Sequence, residues 1–339
     1  MRARAPDPQL DLFAQAEPAP PAHPVGPAPV AEALAQIAQR MPAGVYLGTS
    51  SWHFSGWARL VYDHPADARV LAREGLHAYS QHPLLRCAGI DRTFYAPLSA
   101  AEFRHYAEQV PAEFRFMVKA PMLCTATVMR GEPGTRAAAN PRFLDAEFAV
   151  ARFVQPCMEG LGHKAGPLVF QFPPVGRELT GRPIEFAARL AHFLGRLPHG
   201  PLYAVELRDP ALITDAYLDA LRDGGAHHCI GLHPRMPVAS EQARMTGVAH
   251  AGPLVVRWNL HQGFAYEEAK ARYHPFTTLV DEDIPNRVSL ARLCLDAASR
   301  GQPAFVIANN KAEGCAPLTL FKLAEQVVAA AAHARSVQR

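Results

Sequence analysis

Between residues 45 and 310 one hydrophobic pattern repeats. A short apolar run ends in polar residues, a loop follows, and then an amphipathic stretch. The runs fall at 45–51, 85–95, 115–120, 167–172, 202–210, 227–233, 253–259 and 304–310. They are short for helices and are bounded by Gly, Pro or charge, so the pattern predicts eight strands. The run at 202–210 is Leu-Tyr-Ala-Val-Glu-Leu-Arg-Asp-Pro. Alternation puts Tyr203, Val205 and Leu207 on one face and Ala204, Glu206 and Arg208 on the other. A carboxylate and a guanidinium at the end of a buried strand are costly unless paired or used.

The stretches between the runs predict helices. One spans 70–81, with Ala72, Leu76 and Tyr79 on one face. Ser99 and Glu102 form a capping box that opens the next. Pro141 starts a helix to residue 159, with Leu144, Phe148 and Ala151 as its buried stripe. Further helices carry Phe186, Leu190 and Phe193, or span 214–223, 239–245, 287–300 and 318–332. Gly224-Gly225 and Gly301 close two of them. Residues 261–283 read as a long polar loop.

Strand and helix alternate through short loops, which predicts parallel βα units. Eight units over roughly 290 residues match a (β/α)8 TIM barrel, with a doubly wound open sheet as the alternative. No Gly-x-Gly-x-x-Gly turn follows the first strand, so there is no nucleotide cofactor motif. The barrel is expected over 45–332, with a short C-terminal tail at 333–339. Residues 1–44 hold nine prolines and many alanines and predict a disordered tail, with a short helix at 31–40.

Composition narrows the picture little. The chain has 339 residues, 49% hydrophobic and 19% charged, as in an ordinary globular protein. A formal net charge of +3 does not demand nucleic acid. The six cysteines form no Cys-x-x-Cys pair and read as reduced thiols in a cytosolic protein. No apolar run follows Arg2 and Arg4, so no signal peptide is read, and no stretch is long enough to span a membrane.

In a barrel of this kind the active face is the carboxyl end of the strands. The polar tips there are Ser50, Asp91, Thr93, Tyr95, Lys119, Gln171, Glu206, Arg208, His233, Arg257, Asn259, Asn309 and Asn310. Glu206 is the candidate general base or ligand. Lys119 and Arg208 are candidates to stabilise charge. Arg257, Asn309, Asn310 and Lys311, near the start of the last helix, suit phosphate binding, with Tyr95 and Gln171 beside them; the alternative is a hydrogen-bonded closure between the last strands and the first. Trp52 and Trp57 would flank the mouth, where they either cover the core or stack on a base or sugar. Asp91, Glu206 and His233 are the candidate ligands for a divalent metal, without a tight ligand spacing. The alternative is that Glu206 and Arg208 form a satisfied pair that plugs the barrel.

Within the expected tail, Gln9-Leu10-Asp11-Leu12-Phe13 resembles the bacterial sliding-clamp-binding motif. Gln9, Leu10, Leu12 and Phe13 would anchor in clamp pockets. The alternative is a chance cluster, or a segment that docks on the barrel.

Several stretches taken together resemble the domain-of-unknown-function-72 (YecE-like) family. They are Leu47-Gly48-Thr49-Ser50-Ser51-Trp52 with Trp57, Thr93-Phe94-Tyr95, Phe116-Met117-Val118-Lys119-Ala120-Pro121, Phe170-Gln171-Phe172-Pro173-Pro174, Val205-Glu206-Leu207-Arg208, and Asn309-Asn310-Lys311-Ala312-Glu313-Gly314. The resemblance covers about residues 45–328 and implies a (β/α)8 barrel. It also implies a distant likeness to endonuclease-IV-type and xylose-isomerase-type barrels. Three positions depart from the family's usual pattern. Gly89 stands where Glu is usual, Asp91 where Asn is common, and Ala126 follows Thr125 where a Thr-His pair is frequent. These changes weaken a three-carboxylate metal site.

The expected function is therefore enzymatic: hydrolysis or lysis of a phosphate-bearing substrate at the barrel mouth. Nucleic acid is one such substrate, and the tail motif would then place the protein in DNA maintenance. The alternatives are a sugar or sugar-phosphate isomerase or lyase, and a non-catalytic module recruited through its tail.

Overall fold

The computed structural model describes residues 24–129 and 138–337. Its strands are β1 Val45–Thr49, β2 Leu85–Ile90, β3 Arg115–Lys119, β4 Val128–Met129, β5 Ala138–Ala139, β6 Ala165–Gln171, β7 Tyr203–Glu206, β8 Ala226–Leu232, β9 Leu254–Trp258 and β10 Ala304–Ala308. Its α-helices are α1 Glu32–Arg40, α2 Ala68–Ser80, α3 Ala100–Glu108, α4 Met122–Thr125, α5 Ala146–Ala149, α6 Gln155–Leu161, α7 Arg177–Thr180, α8 Pro183–Leu194, α9 Asp215–Asp223, α10 Ala239–Thr246, α11 Tyr266–Tyr273, α12 Ile284–Ser299 and α13 Ala316–Val337.

Eight strands close into a barrel in the order β1-β10-β9-β8-β7-β6-β3-β2, and every neighbouring pair is parallel. This is the (β/α)8 architecture that the repeated pattern predicts. β4 and β5 form a small antiparallel pair in the connection after β3. Cys87, Met117, Val169, Ala204, Cys229, Val255, Phe305 and Ile307 fill the barrel interior. The outward faces of the strands bury the helices. Phe170 meets Phe153 and Phe193 edge-on, with ring centroids 5.7 and 5.1 Å away, and so joins β6 to the π-helical turn at Val150–Val154 and to α8. Each such aromatic pair adds about 0.5–1.5 kcal/mol beyond burial. The six cysteines are buried and free. No helix among the described residues is long and apolar enough to cross a membrane.

Five expectations are corrected. Residues 24–44 are structured rather than an unformed tail. Val25 and Ala28 are buried, and Pro27 bridges Tyr62. Ala28 N–H donates to Val61 O at 2.9 Å, and α1 lies against α13 with Leu34, Ile37 and Ala38 packed on the core. The proline and alanine content hides this short amphipathic stripe. Residues 9–13 lie outside the described residues.

The second strand stops at Ile90, and Arg92–Phe94 forms a 3-10 turn. The helix expected at 141–159 is broken into α5, the π-helical turn and α6. It buries Ala146, Ala149, Phe153, Val154 and Cys157; of the predicted stripe, Leu144 and Phe148 pack partly buried against the core and Ala151 is exposed. The π turn shifts the periodicity by one residue, which a 3.6-residue reading cannot see. The last helix runs on through Val337, so the tail expected from residue 333 is helical as far as it is described. The long loop also contains α11, whose Ala269 and Tyr273 bury with Leu260 and Phe276 in a small separate core.

Candidate functional site

Side chains alternate along each barrel strand, so residues two positions beyond the apolar interior layer return to the inside. Beyond Met117, Val169, Ala204 and Val255 stand Lys119, Gln171, Glu206 and Arg257. The interior therefore changes from apolar to charged within one layer, at the carboxyl end of the strands.

Glu206 is fully buried at the centre of this layer. Arg257 Nη1 donates to its Oε2 at 2.7 Å, and Arg208 Nη1 lies 2.5 Å from its Oε1. Asn259 Nδ2 donates to the same Oε1 at 3.0 Å. Burial alone pushes the Glu206 carboxyl up, but the charges of Arg208 and Arg257 outweigh it and hold it at about 2. Arg257 also reaches Asp91, with Nη2 placed 2.9 and 2.7 Å from the two carboxylate oxygens. One buried guanidinium thus joins a buried carboxylate to one whose side chain is 34% exposed.

Gly231 makes room for this network. A Cβ there would stand 2.8 Å from Glu206 Oε1 and 2.9 Å from Arg208 Nη1. Gly89 does the same for the first strand, because a Cβ would stand 2.9 Å from Ser50 Cα. A glutamate side chain at that position has no space against this backbone.

Lys119 ends β3 beside the network and stays outside it. Among the described residues no carboxylate lies within 4.0 Å of its ammonium, because Arg257 occupies both Asp91 and Glu206. Nζ lies instead 3.4 Å from the centroid of the Phe94 ring. The turn that carries Phe94 is fastened to β3 by Thr93. Its hydroxyl is 2.9 Å from Ile90 O and 2.5 Å from Lys119 O. Burial and the neighbouring charge of Arg257 bring the Lys119 ammonium down to about 7. With Lys119 protonated, the three cations and two carboxylates leave one positive charge. With Lys119 neutral, the cluster is balanced.

The structure brings Lys119, Gln171, Glu206, Arg208, Arg257 and Asp91 together, and it changes the role of several of them. Glu206 is a poor general base, since both its oxygens are engaged and it holds no proton near neutral pH. Asn309 is structural in part: Nδ2 donates to Ser50 Oγ at 3.0 Å, and Oδ1 accepts from Lys311 N–H. Asn310 Oδ1 accepts from Ala316 N–H at 2.9 Å and caps α13.

Tyr95 is 76% exposed beyond the 3-10 turn, because the strand that would aim it inward stops at Ile90. Trp52 and Trp57 are buried at 4% and 2% exposure and do not line the mouth. Trp52 packs edge-on against Tyr106 and Trp57 tilts against Phe54.

Asp91, Glu206 and His233 are not a metal ligand set. No group of three His, Cys, Asp or Glu among the described residues is placed to hold a metal ion. The Arg257 guanidinium stands between the two carboxylates, where a shared cation would have to sit. His233 Nδ1 accepts from Arg235 N–H instead.

Residue-type reasoning missed Phe94, which reads as a core aromatic, and Gly231, whose only mark was a glycine inside a strand.

The family model described as "Protein of unknown function DUF72" matches residues 46–339. No curated protein matches the chain. Among solved structures, the chain is similar to a DUF72 family protein from Enterococcus faecalis V583. The two share 16% sequence identity at a TM-score of 0.56, over 84% of this chain and 95% of that one. It is also similar to a DUF72 family protein from Thermotoga maritima MSB8, with 19% identity and a TM-score of 0.53, over 84% of this chain and 98% of that one. At these identities the likeness concerns the fold, which is the closed barrel described above. With the family model matched across the whole barrel, the chain belongs to the DUF72 family.

Proposed function

We propose that the chain is an enzyme that acts on a small phosphate-bearing substrate at the carboxyl end of the barrel. Lys119 is its acid–base group. The observation that carries this reading is the lysine itself. It is held among cations, denied a carboxylate partner and brought to about 7, at the end of a barrel strand. A lysine brought near neutrality exchanges a proton at the pH of the cell.

The charge balance supports an anionic substrate. The cluster carries one unbalanced positive charge when Lys119 is protonated, and a phosphate would complete it. Arg257 and Arg208 are held rigidly by Glu206, so their charge is fixed in place before substrate arrives. A buried mouth of this kind suits a small molecule better than a duplex.

The test is a thermal-shift panel of sugar phosphates beside the matching unphosphorylated sugars. Phosphate-bearing compounds are expected to raise the melting temperature of the wild type and to lose that effect in Arg257→Met. Equal shifts from the unphosphorylated sugars would contradict the reading.

The Gln9–Phe13 sequence supports a second reading. In it the same face acts on DNA phosphates, and the N-terminal segment tethers the protein to a sliding clamp, raising its local concentration at DNA.

A further inference from the structure

We infer that Lys119 is a nucleophile that forms an imine with a carbonyl group of the substrate. This rests on the proposed phosphate-binding mouth and goes further, since it makes the substrate a phosphorylated aldehyde or ketone. Imine formation needs a primary amine that is neutral part of the time, reachable from solvent and not tied to a counter-ion.

The chain has five lysines, which allows a direct comparison. Lys164 Nζ donates to Ala107 O and Val110 O, at 2.6 Å each. Lys322 pairs with Glu325 at 2.8 Å, and Lys270 lies 3.8 Å from Glu267. Lys311 sits over the rings of Tyr266 and Phe276, and burial pushes its ammonium down to about 8. Lys119 differs in standing beside the Glu206, Arg257 and Asp91 cluster at the end of β3. It is half-buried there and lies on the Phe94 face rather than against an acid. The network around it explains why. Arg257 holds the two carboxylates that would otherwise bind the ammonium.

The chemistry balances without a further reactant. The nitrogen lone pair forms the C–N bond as the carbonyl π pair moves to oxygen. The neutral nitrogen gives up one of its two protons, one further proton comes from solvent, and with both the oxygen leaves as water. What remains is an iminium with one positive charge. Solvent carries the protons at this step, since both oxygens of Asp91 are held by Arg257. The iminium then withdraws electrons from the neighbouring carbon, which eases C–H or C–C cleavage there.

The experiment is reductive trapping. The purified full chain is incubated near pH 7 with dihydroxyacetone phosphate, or with dihydroxyacetone, and reduced with borohydride. The five lysines are then mapped by mass spectrometry, with and without inorganic phosphate as competitor. Lys119→Met and Lys119→Arg are run in parallel, and phosphate binding is measured separately by calorimetry.

The inference predicts an adduct on Lys119 that exceeds the one on Lys311, whose ammonium burial pushes down to about 8, roughly fivefold, because the neutral fraction of Lys119 at pH 7 is larger by that factor. Both variants should lose it. Phosphate binding without preferred labelling of Lys119 would overturn the imine and leave the phosphate site standing. Preferred labelling that is equal for dihydroxyacetone and insensitive to phosphate would keep the imine and remove the phosphate site. Uniform labelling with no phosphate binding would remove both.

Discussion

Arg257 Nη1 donates to Glu206 Oε2 at 2.7 Å inside the barrel, and both side chains are buried. A buried pair of this kind does not by itself argue for stability, but removing one member leaves the other uncompensated. Glu206→Gln is therefore expected to destabilise the protein by about 3–5 kcal/mol. Urea denaturation at pH 7 measures this. Asp91→Asn should cost clearly less, because Asp91 is partly solvated.

The pH dependence of this pair has a definite sign. Glu206 is held at about 2, below the ordinary 4.5 of a glutamate. Its contribution is complete above pH 4.5 and is lost as the pH falls toward 2. Wild-type stability should drop through that window, and a Glu206→Gln variant should drop less steeply. Parallel acid titrations of the two proteins would contradict this.

Lys119 behaves in the opposite sense to a paired lysine. Its folded value is near 7 and its ordinary value is 10.5, so between them the unfolded chain binds more protons than the folded one. The stability that Lys119 withholds returns as the pH rises from 7 toward 10.5. Lys119→Met is thus expected to be more stable than the wild type at pH 7, with the gain shrinking by pH 10. Guanidinium melts at the two pH values check it. A variant less stable at pH 7 would show that the Phe94 contact outweighs desolvation.

Gly231→Ala tests the packing that the network requires. Its added methyl would meet Glu206 and Arg208 at 2.8 and 2.9 Å. The expected loss is about 1–3 kcal/mol, typical of overpacking. An unchanged denaturation midpoint would mean that the ion pair shifts freely.

The clamp reading has its own measurement. Binding of the full chain to the sliding clamp of its host is compared with that of a Leu12→Ala/Phe13→Ala variant. Binding that the variant loses supports the tether. No binding by the wild type returns Gln9–Phe13 to chance.

How far the sequence reaches differs between fold and site. The barrel was legible because eight apolar runs end in polar tips, and a period-2 pattern survives small errors in boundary. The wall of the site was legible for the same reason. Lys119, Gln171, Glu206 and Arg257 all stand two residues beyond an apolar interior position. What was not legible depends on contacts between distant segments. The exposure of Tyr95 follows from a 3-10 turn after Ile90, and the burial of Trp52 follows from Tyr106, far along the chain. The change of role between Glu206 and Lys119 is of the same kind. Residue type marks the glutamate as the base, and only the guanidiniums packed on it show that the lysine is the group left to titrate.

The most direct test of the account is the titration of Lys119 itself. The chain is labelled with [ε-13C]lysine, and its five Cε resonances are followed by NMR from pH 5 to 11, with Lys119→Met to assign the signal. The resonance assigned to Lys119 is expected to titrate near pH 7, below that of Lys311 near 8, and to move upward when inorganic phosphate is added. A Lys119 resonance that titrates near its ordinary 10.5 would contradict the account, and with it the acid–base role at the centre of the proposed function.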